Sequence, residues 1–140
     1  MRHRVSADDW DFLRKFDSCE VKPAEFDHRA HLKLAYILLA MHGVDHAGDR
    51  FREALQAFIK RNGIDEAKYH ETLTQAWLLA VSHFMDRAGE TKSAEEFVAA
   101  SPVLLDPKVI LTHYSRTLIE SDRARKRFVQ PDLDPIPRRH

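Results

Sequence analysis

A single cysteine, Cys19, leaves no partner for an intramolecular disulfide and fits a reducing cytoplasm. Glycine is almost as scarce, with four in the chain, too few for the loops that cradle nucleotides. No Gly-x-Ser-x-Gly, P-loop or dinucleotide fingerprint occurs. The longest apolar run, within Leu32 to Met41, is too short and interrupted to span a bilayer. The opening Met1-Arg2-His3-Arg4-Val5 leads into no apolar stretch and does not read as a secretory leader. Neither sign of charge dominates: 22 Lys and Arg balance 22 Asp and Glu. That balance argues against nucleic acid or an anionic membrane surface as partner.

What remains is a helix-forming composition. Hydrophobic residues make up 44% of 140 residues and Ala, Leu, Glu, Lys and Arg abound, which suits one domain with a core of its own. The spacing predicts an all-α single-domain bundle of about five to seven helices without a sheet. Residues 6–129 form its helical core, and a proline-spaced extended tail covers 130–140. Ser6 opens the first helix, reaching about Cys19, with Trp10 and Leu13 inward and Phe12 and Phe16 beside them. Asp27 caps a second from His28 to about His42, closed by Gly43. A third runs from about Asp45 to Arg61 with Ala47, Phe51, Ala54, Leu55 and Phe58 on one side, and Asn62-Gly63 stops it. The fourth and longest is expected from about Asp65 to Ala88, with its first turn read as helix or as loop. Ser93-x-x-Glu96 reads as a capping box for a short helix to Ala100. Another starts at Pro107 and reaches about Tyr114. A last basic helix opens at Ser115 or Ser121 and ends near Val129.

Histidine is the one anomaly, with nine in the chain. His28 and His31 stand three apart and share a helix face with Ala35, Leu38 and His42. Ala35 is small enough to leave room beside them for a ligand or a partner helix. His70 leads a second stripe through Leu73, Trp77, Ala80 and Phe84, and Tyr69, Glu71, Thr72 and Thr74 crowd polar groups around it. His28, His31 and His70, with His113 completing or replacing one, are the expected metal ligands. Neutral imidazoles suit iron, copper or zinc alike, so ligand type does not choose the divalent transition metal. Glu71, roughly 100° around the helix from His70, and Tyr69 are the expected proton-handling residues. His42 lies roughly 21 Å along a straight helix from His28 and belongs to no shared site. His3 and His140 are set aside as belonging to frayed ends, and His46 and His83 as exposed. Cys19 reads as a structural or exposed thiol, Trp77 and the phenylalanines as core, and Arg123-x-Arg125-Lys126-Arg127 as a solvated face.

Three blocks, His28-x-x-His31-Leu32, Lys68-Tyr69-His70-Glu71-Thr72 and Phe128-Val129-x-Pro131-Asp132, resemble those of a group of small bacterial helical proteins. The resemblance spans Glu25 to Asp132. It implies one-domain organisation and carries no activity with it. The expected function is that of a small cytoplasmic protein with a mononuclear metal centre, an enzyme on a small-molecule substrate, oxidoreductase ahead of hydrolase. Two rivals stand beside it: a non-enzymatic module that binds or senses a small ligand or metal, and an interaction domain with structural histidines. An exposed apolar stripe on so short a bundle would support a homodimer.

Overall fold

Serine and aspartate side chains set where most helices begin. Ser6 and Asp9 form a reciprocal capping box, Asp27 accepts from the Ala30 N–H, and Ser93, Ser115 and Ser121 each accept from an amide three residues on. The computed structural model describes residues 3–136. Within them the helices are α1 (Ala7–Asp17), α2 (His28–His42), α3 (Val44–Arg61), α4 (Glu71–Arg87), α5 (Ala94–Ala100), α6 (Arg116–Ile119) and α7 (Asp122–Lys126). Short 3-10 turns occupy Pro23–Glu25, Glu66–Lys68, Pro102–Leu105 and Pro107–Thr112. Among the described residues there is no sheet, only an isolated backbone bridge between His3 and Thr91. The all-α expectation holds. No described helix is long and apolar enough to cross a membrane.

Helix α2 is the axis. Its Leu34, Tyr36 and Ile37 are wholly buried, and α3, α4 and α5 pack around it, so it is apolar on nearly every face. Tyr36 meets the requirement that a buried hydroxyl be bonded by donating to Arg4 O, with Thr91 Oγ1 also 2.8 Å away. The expected stripe of α3 holds, with Ala47, Phe51, Leu55 and Phe58 buried. A second, smaller apolar cluster gathers Ala76, Ile110, Tyr114, Ile119, Ala124, Val129 and Ile136, and Trp77 packs against both clusters.

Several expectations need correction. The fourth helix begins at Glu71, because His70 is its extended N-cap and Asp65 opens only a 3-10 turn. The segment from Pro107 is 3-10, not α. The basic helix is two short ones, since both Ser115 and Ser121 act as caps. Trp10 is 50% exposed, and Phe16 takes the buried place on α1. His3 is held rather than frayed, with ring nitrogens 2.6 Å from Thr91 Oγ1 and 2.7 Å from Met85 O. The tail, over residues 130–136, is pinned where Leu133 and Asp134 N–H groups donate to His113 O and Thr112 O. Its remainder, with His140, lies outside the described residues. The large exposed apolar side chains are Trp10, Val44, Val103 and Leu133, each on a different segment, so no one described helix offers the stripe expected of a dimer face.

Candidate functional site

Where the first turns of α2 and α4 approach the C-terminal half of α3, the side chains leave a cavity of about 530 Å³. Its walls are largely aromatic and aliphatic: Phe26, Leu32, Phe51, Leu55, Phe58, Leu73 and Trp77, with Ile64 and Pro107 at the margin. Ala35 lines it too, and its one-carbon side chain is part of why space remains between three helices. The polar groups are concentrated in Asp27, His28 and His31 from α2 and in Lys68, Tyr69, His70 and Thr74 from the second block. Two stretches about forty residues apart in sequence therefore meet at one cavity.

The histidines differ in what the backbone leaves them. A carbonyl can only accept, so an imidazole nitrogen bonded to one carries the proton. His31 Nδ1 donates to Asp27 O at 3.2 Å while its ring lies 4.0 Å from Phe26, and Nε2 makes no bond within the described protein. His28 Nε2 donates to Leu104 O at 2.8 Å, edge-on to Trp77, and Nδ1 is the nitrogen left over. His70 has none left: Nε2 donates to Ile119 O at 2.6 Å and Nδ1 accepts the Leu73 N–H at 3.1 Å. Burial lowers the pKa of both His31 and His70 below the ordinary 6.5, since an imidazolium is penalised away from water. At neutral pH both are uncharged.

Glu71 and Tyr69 form a separate polar knot behind the cavity wall. Arg52 grips Glu71 with Nε at 2.9 Å and Nη2 at 2.5 Å, and the Tyr69 hydroxyl donates to the same carboxylate at 2.5 Å. Burial pushes the Glu71 carboxyl up, but the bonds from Arg52 and Tyr69 outweigh it and hold it below its ordinary value. Burial first, and the Glu71 bond second, push the Tyr69 phenol well above its ordinary range. Tyr69 thus lines the cavity while its hydroxyl is already engaged as a hydrogen-bond donor to Glu71.

As a metal set these donors do not fit. His70 would have to surrender its helix cap or its bond to Ile119, and Glu71 its ion pair. His113 is not brought to the cavity; its Nδ1 donates to Asp134 O at 2.7 Å, against the tail. His28 and His31 are the pair that keeps a ring nitrogen each, one short of a three-ligand zinc site. No group of three or more His, Cys, Asp or Glu suited to a metal occurs among the described residues. Reasoning from sequence missed Lys68, which had a signal in its place beside Tyr69-His70, and took Phe51, Phe58 and Trp77 for core alone when they also wall the cavity. No family model, curated protein or solved structure matches the chain.

Proposed function

We propose that the protein binds a small, mostly apolar molecule in the cavity between α2, α3 and α4, and that His31 is the proton acceptor of that site. One observation carries this reading: an uncharged imidazole with an unbonded Nε2 stands on the wall of an aromatic-lined cavity of about 530 Å³. Small-molecule sites span roughly 300–1,000 Å³ and pair apolar walls with a few placed polar groups. A base is useful when its pKa lies near or below the working pH and its lone pair faces a reacting proton. His31 meets the first condition by burial, and because Asp27 O fixes the proton on Nδ1, its lone pair sits on Nε2, a ring atom of a residue that lines the cavity. His28 offers a second acceptor from the same turn. These are the parts of a metal-free acid–base site, and also those of a ligand-sensing module.

Plugging the cavity tests it. A panel of small aromatic and alicyclic compounds is screened by ligand-observed NMR, with the wild type beside Ala35→Leu, whose larger side chain fills the space. Ile64→Trp, at the margin, is a second plug in case the first is overpacked and unfolds. Binding to the wild type that both folded plugs abolish is the expected result. Binding that survives in folded plug variants, or none to the folded wild type, would overturn the proposal.

A further inference from the structure

We infer that the natural ligand of this cavity is a small monocarboxylic acid with an apolar body, held at its charged end by Lys68 and His31. The inference rests on the cavity being the binding site proposed above and names the chemistry of its occupant. Besides His31, five titratable side chains line the cavity: Asp27, His28, Lys68, Tyr69 and His70; of these Asp27 and His28 act on His31 directly, and α3 contributes none. Most are committed. The Tyr69 hydroxyl donates its hydrogen bond to Glu71, both nitrogens of His70 are bonded, and Asp27 accepts from the Ala30 N–H at 2.9 Å as the cap of α2. Lys68 is different. It is exposed at the edge of the cavity and makes no ion pair among the described residues.

The uncommitted groups are therefore one ammonium, which only donates, and two imidazole lone pairs, which only accept. An amine would meet the acceptors but also the repulsion of Lys68. A neutral alcohol would use one acceptor and leave the ammonium idle. An acid uses both kinds: its carboxylate faces Lys68, and a proton taken up on binding charges His31 beside that carboxylate. Charges then sum to zero across Asp27, Lys68, His31 and the ligand, which a low-dielectric cavity favours. The aromatic walls suit a body of one ring or a short branched chain.

Titration calorimetry with three compounds of one body tests this: 3-phenylpropanoate, 3-phenylpropan-1-ol and 3-phenylpropylamine. The acid is expected to bind about ten-fold or more tighter than the alcohol, in keeping with one charge-assisted bond, and the amine weakest. Lys68→Met should bring the acid down to the alcohol, while Lys126→Met, a surface control, leaves the difference intact. Binding of the acid at pH 7 should take up about one proton, seen as a dependence on buffer ionisation heat, and weaken by up to about ten-fold per pH unit above neutrality. His31→Gln should abolish that uptake. Equal affinity for acid and alcohol, with both lost in the plug variants, would overturn the carboxylic acid and leave the cavity standing. Tightest binding by the amine would overturn it in favour of a cation. Failure of all three to bind folded protein would overturn it together with the cavity reading.

Discussion

His70 is a structural residue in the guise of a ligand. Its two ring nitrogens start α4 and hold α6, through Leu73 N–H and Ile119 O. His70→Ala removes both bonds and should destabilise by about 1.5–3 kcal/mol, the sum of a helix cap and a bond to a half-buried carbonyl. His70→Asn restores the cap alone and should recover about half of that loss; equal loss in both variants, measured by urea denaturation, would deny the cap. The sign of the pH effect follows from its lowered pKa. The unfolded chain binds the proton more readily than the folded one, so the stabilisation is full above about pH 6.5 and is lost as pH falls toward the folded value. His31 has the same sign. Urea midpoints of wild type should therefore fall between pH 7 and pH 5, and fall less in His70→Ala. At this scale the sequence was half legible. The spacing of His28 and His31 put them on one wall, but nothing local to His70 announces a carbonyl 49 residues away.

Helix beginnings were the most legible elements, because a cap and its helix are neighbours in sequence: Ser6, Asp27, Ser93, Ser115 and Ser121 all serve. The start of α4 was misjudged for the opposite reason. Asp65 has the chemistry of a cap and uses it on a 3-10 turn, and the helix proper waits for Glu71, where Arg52 of α3 reaches across. That ion pair fastens the first turn of α4 to the middle of α3 and so fixes one corner of the cavity. Glu71 is nearly buried in it, with its side chain 10% exposed, while that of Arg52 is 38% exposed. Water screens part of the interaction. Glu71→Gln keeps the acceptor for Tyr69 and loses the charge, and should destabilise by about 1–2 kcal/mol. Because Glu71 titrates below its ordinary value, its contribution is present above about pH 4.5 and disappears as pH falls through the lowered one. Acid titration of wild type and variant should converge below that point. A gap between them that persists to the most acid pH at which both stay folded would assign the loss to packing and not to charge.

Across the whole molecule, two apolar clusters share α4, and the C-terminal stretch is tied to that helix by side chains. Thr72 is the clasp. Wholly buried, it donates from Oγ1 to Arg127 O at 2.7 Å and accepts the Val129 N–H at 3.1 Å. Tyr114 donates to Val129 O, and Asp132 takes both the amide and hydroxyl of Ser115. The block Phe128-Val129-x-Pro131-Asp132 therefore has a structural use, which its sequence could not disclose because every partner lies on another segment. The same holds for the cavity: its two polar stretches were legible as blocks, and their meeting was not, since it depends on how α3 spaces α2 from α4. The start of α4 presents its cap His70 to the cavity and Thr72 to the C-terminal clasp, two positions apart. Thr72→Val keeps the shape and leaves Arg127 O and Val129 N–H without partners, and should destabilise by about 2–4 kcal/mol. Thr72→Ser, which retains the hydroxyl, should recover most of it. Hydrogen exchange separates a local effect from a global one. In the valine variant the amides of residues 127–134 should exchange faster than those of α2, whose own protection drops only by the global loss. Uniform acceleration across α2 and the C-terminal stretch would mean that the two clusters open as one unit, and that the clasp holds the whole bundle rather than its end.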